Sequence, residues 1–351
     1  MSKFWSKRTH ELDPYTPGEQ PQNQQYIKLN TNENPYPPSP KAIDAMRAAA
    51  DEDMRLYPDP MAKSLKQAVA DFYDLDVSEV FVGNSSDEVL AHTFVALLKK
   101  DKPLFFPDIS YGFYPAYCGL FNIETTRIPL ADDFTINPQD YAADNGGIIF
   151  PNPNAPSGIA LSLADIEKVL MANQEVVVVI DEAYIDFGGE TAVPLINKYP
   201  NLLITQTFSK SRSLAGLRVG FAMGQADLID GLERVKNSFN SYPLDRAAIA
   251  GATASIKDKT YFVETCQKII NTRDKVSKAL EQMDFSVLPS QANFVFAKPN
   301  KADAEKLYLD LKAAGVLVRY FNSPRIAGYL RITIGTDADM DVFLEKLAML
   351  T

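Results

Sequence analysis

Histidine and cysteine are scarce in this sequence. Its 351 residues include two histidines, His10 and His92, and two cysteines, Cys118 and Cys266, which are far apart and in no C-x-x-C pattern. A disulfide framework, a histidine- or thiolate-based metal centre or a Ser-His-Asp triad would have to use these few residues, which argues against each of them. We therefore expect no metal ion, and the cysteine content favours a reducing compartment.

A basic excess and a long apolar run are also missing. The net charge of −10 argues against a nucleic-acid-binding protein, although a few arginines in a cleft could still bind an anionic substrate. No apolar run reaches the roughly 20 residues of a membrane span. The N-terminal stretch MSKFWSKRTHELDPY interrupts its hydrophobicity with charges, which predicts no signal peptide. We expect a soluble, cytoplasmic protein without nucleic-acid or membrane partners.

Short apolar runs alternate with helical patterns over most of the chain. The runs PLFFP, GGIIFP, VVVVID and NLLITQTF are rich in β-branched or aromatic residues, which indicates buried and mostly parallel strands. Patterns such as SLADIEKVLMAN between them indicate helices. This rhythm predicts an α/β fold, with a mostly parallel sheet between two helical layers.

The composition predicts three parts of the chain. Residues 1–44 are rich in Pro, Asn, Gln and Tyr and are typical of an extended arm. Residues 45–255 carry the α/β pattern. Residues 256–351 begin with a long helical stretch, roughly 256–283, and then mix strands and helices, which predicts a smaller α+β domain. We expect the arm to pack near this small domain.

Polar and aromatic residues follow the predicted strands at their C-terminal ends, where open α/β sheets bind ligands. These residues are Asn84, Ser85 and Ser86 at a helix start, then Tyr111, Asn152, Asn154, Asp181, Tyr184, Ser209 and Lys210. Together they provide hydroxyls at a helix N-terminus, an aromatic ring, amides, a carboxylate, a phenol and an amine around one crevice.

This set of groups matches the needs of pyridoxal 5′-phosphate. The phosphate needs backbone N–H groups at a helix N-terminus, hydroxyls and a cation. The aldehyde needs a lysine amine, which Lys210 in TFSKSRSLAGLRVGF would supply, and the pyridine nitrogen needs a carboxylate. Asp181 ends the run VVVVID, where a buried carboxylate is costly unless it is paired. Asp181 could instead cap a following helix.

Several motifs resemble those of fold type I pyridoxal-phosphate aminotransferases. TFSKSRSLAGLRVGF resembles their lysine segment, DEAYIDF their Asp-x-x-Tyr pair and PNAPSG their Asn-Pro-x-Gly turn. LDPYTPG, LNTNENPYPPSP and RLYPDP are similar to motifs of the histidinol-phosphate aminotransferases in particular. The resemblance covers nearly the whole chain in the same order. It implies a homodimer that transfers nitrogen from L-histidinol phosphate to 2-oxoglutarate in histidine biosynthesis.

The resemblance also implies roles for individual residues. Lys210, Asp181 and Tyr184 would be catalytic, and Tyr184 would contact the phenolic oxygen of the cofactor. Tyr111 would stack on the cofactor ring, with Tyr114 as the alternative. The other implied cofactor ligands are Ser85, Ser86, Asn154, Thr207, Ser209, Arg218 and, from the neighbouring subunit, Tyr57. The implied substrate-binding residues are Tyr15, Asn34, Tyr242, Arg319 and Arg331.

One position departs from the family pattern. Relatives usually have a second asparagine, which hydrogen-bonds the phenolic oxygen of the cofactor, where this chain has Ala155. We expect Asn154, or Asn152 through a shifted turn, to replace that amide, or Tyr184 to hold the oxygen alone. Arg325 is a further cation without an assigned role, which we expect to be solvated.

Other functions remain to be weighed against this one. An aromatic-amino-acid aminotransferase and a threonine-phosphate decarboxylase share the cofactor residues, so only the N-terminal motifs separate them from the first hypothesis. A regulator that has lost catalysis predicts damage at Lys210, Asp181, Tyr184 or Arg218, and all four are intact. A nicotinamide-dependent dehydrogenase needs a G-x-G-x-x-G turn after its first strand, and VFVGNSSDEV has a single glycine.

Overall fold

Strands and helices alternate along the chain, of which the computed structural model describes residues 2–21 and 25–351. The strands of these residues are β1 Ile27–Lys28, β2 Val80–Asn84, β3 Leu104–Pro107, β4 Thr125–Ile128, β5 Ile148–Pro151, β6 Val178–Asp181, β7 Leu202–Thr207, β8 Val219–Gly224, β9 Phe285–Val287, β10 Phe294–Pro299, β11 Val316–Leu317, β12 Arg319–Tyr320 and β13 Leu330–Thr333. The helices are α1 Lys7–Glu11, α2 Pro40–Ala49, α3 Lys63–Tyr73, α4 Ser85–Thr93, α5 Tyr114–Phe121, α6 Leu163–Ala172, α7 Ala226–Phe239, α8 Arg246–Lys257, α9 Lys259–Gln282, α10 Ala304–Ala313 and α11 Asp337–Ala348.

The large sheet has seven strands in the order β2-β8-β7-β6-β5-β3-β4. β8 runs antiparallel to both of its neighbours, β2 and β7, whereas the other neighbouring strands are parallel. The predicted mixed, mostly parallel sheet is therefore confirmed. The C-terminal ends of β2, β3, β5, β6 and β7 all lie at one edge, which brings the residues that follow these strands together.

Both faces of the large sheet are covered, which explains the uninterrupted apolar runs. Side chains alternate between the faces of a strand, so Val178 and Ile180 of β6 pack into one core and Val179 into the other. Residues of α3, α6 and α8 belong to the first core, and residues of α4, α5 and α7 to the second. A polar residue within such a strand would have no solvated face to occupy.

A second sheet, antiparallel and in the order β12-β13-β10-β9, has its own core. Residues of α9, α10 and α11 pack in this core, and Leu29 from the N-terminal segment joins them. β1 in that segment pairs in parallel with β11, with Ile27 opposite Val316. The division of the chain at residues 44 and 255 stays a prediction.

Membrane-spanning helices and metal-binding clusters are both absent from the described part of the chain. No helix there combines the length and the apolar character that crossing a bilayer requires. No three or more His, Cys, Asp or Glu side chains there are grouped so that they could hold a metal ion.

Candidate active site

A cavity of about 760 Å³ lies at the C-terminal edge of the large sheet, between that sheet, the N-terminal segment and the second sheet. The expected site residues that line it are Tyr15, Ser86, Tyr111, Asp181, Tyr184, Thr207, Ser209, Lys210, Arg218, Arg319 and Arg331. The side chains thus come from both sheets and from the N-terminal segment, which explains why they are spread over the whole sequence.

Lys210 follows β7 and points its amine into this cavity. Its Nζ donates to the backbone carbonyl of Thr31 at 3.1 Å. The Lys210 carbonyl accepts from Nδ2 of Asn34 at 3.0 Å, and the next residue, Ser211, donates to Asp186 at 2.5 Å. Asn34 does not line the cavity of this chain, and its amide holds the lysine segment in place; its substrate contact stays a prediction.

Asp181 ends β6 and is buried. Its Oδ2 accepts from the Tyr114 hydroxyl at 2.9 Å and its Oδ1 from the Thr205 hydroxyl at 3.2 Å. Burial raises the pKa of Asp181 to about 6, although these two hydrogen bonds stabilise the carboxylate. Asp181 caps no helix, because the helical turn that follows begins after Tyr184. Tyr114 is the buried partner of this carboxylate, and Tyr111 is the ring that lines the cavity.

Tyr184 lies across the cavity from the strand ends. Its ring packs edge-on against Phe294 with centroids 5.1 Å apart, and the Lys210 amine lies 5.9 Å from its centroid. Its hydroxyl accepts from Nδ2 of Asn32 at 3.0 Å. Asn32 was not singled out from the sequence, although it belongs to the motif LNTNENPYPPSP, because the contact joins residues 152 positions apart.

The start of α4 meets the segment between β7 and β8. Nη2 of Arg218 donates to Ser85 Oγ at 2.9 Å and to Asp87 at 2.6 Å. Ser85 does not line the cavity, so within one chain it orients Arg218. A Cβ at Gly220 would lie 2.3 Å from the Ser86 backbone nitrogen, which only glycine avoids. The close approach keeps the first turn of α4 beside the arginine, which suits an anion.

Thr207 and Ser209 complete this end of the cavity. Their hydroxyls lie 2.9 Å apart, and Thr207 Oγ1 also accepts from the Ser209 backbone nitrogen at 3.1 Å. Both residues are buried. The short turn that they form carries the chain from β7 to Lys210 and exposes the two hydroxyls to the cavity.

The amides expected to replace the missing family asparagine point elsewhere. Nδ2 of Asn154 donates to the Ile109 carbonyl and to Ser157, each at 3.1 Å. The Asn152 side chain pairs with the backbone of Leu161. Neither lines the cavity, whereas Ala155 does. The cofactor contact expected of Asn154 therefore stays a prediction, as does that of Tyr184.

Two arginines dominate the opposite end of the cavity. Arg319 of β12 and Arg331 of β13 are direct cross-strand partners. Arg331 is half-buried, and desolvation lowers its pKa. Its Nη2 donates to the Asn30 carbonyl at 3.0 Å, and no described residue pairs with its Nε. Both guanidiniums lie over the Phe321 ring, at 5.4 and 5.5 Å. In the part of the chain that the structure describes, no carboxylate forms an ion pair with either arginine. Facing, unneutralised cations suit an anionic ligand.

Three expected tyrosines have different positions. Tyr15 lines the cavity and packs against Phe113 with centroids 4.8 Å apart. Tyr57 is 80% exposed and stacks on Tyr242 at 4.7 Å. Neither Tyr57 nor Tyr242 lines the cavity of its own chain, so the expectation that Tyr242 lines the pocket is not met within a single chain.

Arg325 is exposed, as expected of a solvated cation, but it also forms several contacts. Its guanidinium donates to Asp108 at 3.0 Å and to the carbonyls of Leu130 and Ala131, both at 2.9 Å. Its φ of 68° places its backbone in the left-handed region. Arg325 therefore ties the loop before β13 to the loops after β3 and β4.

Comparison with known proteins assigns the family. The model of the aminotransferase class I and II family matches residues 24–347. The chain is 60% identical over 339 residues to histidinol-phosphate aminotransferase 1 of Hydrogenovibrio crunogenus, covering 97% of this chain and 95% of that protein. It is 58% identical over 353 residues to histidinol-phosphate aminotransferase of a Marinomonas species, covering 100% of both.

A solved structure with the same fold is histidinol-phosphate aminotransferase from Sinorhizobium meliloti in complex with pyridoxal-5′-phosphate. It has a TM-score of 0.89 at 23% identity and covers 100% of this chain and 99% of that one. The fold and the cavity therefore define a fold type I pyridoxal-phosphate enzyme. The chain belongs to the aminotransferase class I and II family. The predicted fold, enzyme class and cofactor are confirmed.

Proposed function

We propose that this protein transfers the amino group of L-histidinol phosphate to 2-oxoglutarate, forming imidazole-acetol phosphate and glutamate in histidine biosynthesis. Two relatives at 58–60% identity bear the name of this activity. The observation that carries the proposal is the facing pair Arg319 and Arg331 at the end of the cavity away from Lys210. A phosphate dianion can accept from both guanidiniums and offset their mutual repulsion.

The phosphate of the cofactor fits the opposite end of the cavity. Arg218 supplies a cation, Ser209 a hydroxyl, and Ser86 the first turn of a helix whose N-terminus favours an anion. Gly220 leaves the space that this approach needs. Cofactor and substrate would thus each bring a phosphate, and Arg218 would bind the first and the pair Arg319 and Arg331 the second.

The ring of the cofactor fits between these groups. Asp181 would keep its pyridine nitrogen protonated, Tyr111 would stack on it and Tyr184 would donate to its phenolic oxygen. When bound, the cofactor supplies an electron sink for the electron pair left at the substrate Cα. Lys210 would hold the cofactor aldehyde between turnovers and, once released, move the proton from Cα.

A substrate comparison tests the proposal. We expect kcat/KM for L-histidinol phosphate with 2-oxoglutarate to exceed that for phenylalanine by about a hundredfold or more, since phenylalanine lacks the phosphate. L-threonine phosphate should yield no decarboxylated product. K210A should lose at least about a thousandfold of the activity, while K278A, at an exposed lysine of α9, keeps it. Higher kcat/KM for phenylalanine, or decarboxylation of threonine phosphate, would replace the proposal with the corresponding alternative.

The proposal includes a cytoplasmic homodimer in which Tyr57 acts on the neighbouring active site. The exposed Tyr57–Tyr242 stack supports it, because two exposed rings near Met54, Leu56 and Phe239, which are also exposed, offer a surface for a second copy. The two free, buried cysteines are compatible with a reducing compartment. Sedimentation of the purified protein would test the dimer.

A further inference from the structure

The turn beside the cofactor region offers no side-chain donor to the cavity. Ala155 lines the cavity and has no polar side-chain atom. Its neighbour Asn154 is 2% exposed, and its amide nitrogen donates to the Ile109 carbonyl and to the Ser157 hydroxyl. A phenolic oxygen bound here would therefore depend on the Tyr184 hydroxyl, and the direction in which that hydroxyl points its proton becomes decisive.

Asn32 is held in one conformation by its surroundings. It is 1% exposed and has a φ of 55°, a left-handed conformation that asparagine tolerates better than most residues. Its carbonyl accepts from Nδ2 of Asn293 at 3.0 Å. Its backbone nitrogen donates to the Thr333 hydroxyl at 3.0 Å.

The Thr333 hydroxyl fixes which way the Asn32 amide points. Because this oxygen accepts from the Asn32 backbone, its own proton goes to another acceptor, and Asn32 Oδ1 lies 2.9 Å away. The amide oxygen thus faces Thr333, and the amide nitrogen faces Tyr184 at 3.0 Å. This orientation gives the Thr333 proton an acceptor in Asn32 Oδ1, which the flipped amide would not provide.

A tyrosine hydroxyl that accepts from an amide keeps its own proton for a different partner. Asn32 Nδ2 has no lone pair to accept that proton, so the proton must point away from Asn32. Tyr184 and Lys210 both line the cavity, and the Lys210 amine lies 5.9 Å from the centroid of the Tyr184 ring. The open direction for the proton is the cavity.

We infer that Asn32 is a positioning residue: by donating to the Tyr184 hydroxyl, it fixes that hydroxyl as a donor to the phenolic oxygen of the cofactor and compensates for the amide that Ala155 lacks. This inference rests on the proposed cofactor contact of Tyr184. It assigns Asn32 no contact with the cofactor or the substrate, and it makes the motif LNTNENPYPPSP part of the cofactor site through one buried amide.

The variant Asn32→Gly tests the inference, because glycine accepts the left-handed backbone and adds no charge. Apo-protein is titrated with pyridoxal phosphate, and the visible absorbance of the bound cofactor is followed against pH. We expect the cofactor affinity to fall about tenfold and the pH midpoint of the absorbance to rise by about one unit, because loss of a donor at the phenolic oxygen favours the protonated form.

Matched controls separate positioning from general damage. N122G makes the same change at an exposed asparagine with a φ of 56°, outside the cavity, and should leave both readouts unchanged. In a Y184F background, N32G should have no further effect, because Asn32 acts through that hydroxyl. A155N, which restores an amide in the turn, should recover at least half of the N32G shift.

The outcomes distinguish this inference from the proposed function. A wild-type protein that develops no visible absorbance with pyridoxal phosphate overturns both. Two results overturn the inference alone, provided that the wild-type protein titrates normally. The first is an N32G midpoint equal to that of wild type, and the second is an N32G shift that persists in full in the Y184F or the A155N background. If N32G does not fold, T333V removes the hydroxyl that orients the amide, and an unshifted midpoint in T333V overturns the inference in its place.

Discussion

The two ends of the cavity differ in how their charged side chains are compensated. Behind the cofactor end, the buried carboxylates Asp181 and Glu182 accept hydrogen bonds from neutral donors: tyrosine, threonine, glutamine and a backbone N–H. At the substrate end, Arg319 and Arg331 face each other, and none of residues 2–21 and 25–351 supplies an acidic partner. The first end is organised before any ligand binds, whereas the second is completed only by an anion.

This difference has a physical consequence for stability. Neutral donors hold a buried carboxylate in place but compensate only part of its desolvation. The two guanidiniums repel each other directly, as opposed like charges on neighbouring strands do. Both ends therefore cost the folded protein stability, which an anion bound at one end or a proton bound at the other would recover.

The largest effect is expected at the substrate end. R331K keeps a positive charge but loses the planar fork that binds two phosphate oxygens, so kcat/KM for L-histidinol phosphate should fall by about a thousandfold. Inorganic phosphate should raise the thermal midpoint of the wild-type holoenzyme and fail to raise that of R331K. R127K, at an exposed arginine of β4, is the control. If phosphate stabilised R331K and wild type equally, the prediction that Arg331 binds an anion at this end would be wrong.

The second effect is a pH dependence at the cofactor end. Burial raises the pKa of Glu182 from 4.5 to about 7, so the folded state binds more protons than the unfolded state between these values. Stability from this group is complete below pH 4.5 and is lost as the pH rises through 7. E182Q removes the titration. Relative to wild type, the free energy of unfolding of apo-E182Q should therefore gain about 2 kcal/mol between pH 5 and pH 8.

Urea unfolding of the apo-proteins at both pH values measures this difference. E175Q changes an exposed carboxylate near the start of β6 and should show no such gain. If E182Q and E175Q behave alike, the carboxylate behind the cofactor end is not desolvated as its contacts indicate, and the contrast between the two ends is lost.

The smallest expected effect is a partial recovery of activity in mixed dimers, which tests whether the cofactor end needs a residue of the neighbouring chain. If Tyr57 acts on the neighbouring active site, K210A and Y57A chains are each defective as homodimers but form one intact site when paired. Equal mixtures, after dissociation and reassociation, should recover about a quarter of the wild-type activity, since half of the dimers are mixed and each has one intact site. A mixture no more active than its separate components would place Tyr57 outside the partner's site.

The sequence predicted most of the strands that are buried on both faces, and it missed the exposed β4 and the buried β8. β6 is a run of apolar residues because both of its faces are covered. β4 was missed because three of its four residues are exposed, and β8 because its sequence, VGFAMG, begins and ends close to glycines. Hydrophobic periodicity indicates burial, so an exposed edge strand such as β4 gives a weak sequence signal. In β8 the glycines shorten the apolar run, which weakens the signal as well.

The same limit applies to the site. Groups that follow strands were found because parallel strands place their C-terminal ends together. The contacts of Asn32 with Tyr184 and of Arg325 with Asp108 were missed, since each joins residues far apart in the sequence. Asn34 and Asn154 were assigned by motif position, which gives the residue but not the direction of its amide.

The reversed direction of β8 sets a fixed span inside the active site. β7 and β8 are antiparallel neighbours, so the segment joining them leaves and re-enters the sheet at the same edge. Lys210 stands near one end of that connection and Arg218 at the other. The hairpin thus sets the distance between the proposed covalent anchor and the proposed phosphate anchor of the cofactor. A single residue inserted into it or deleted from it would change that distance, which the length of the cofactor fixes.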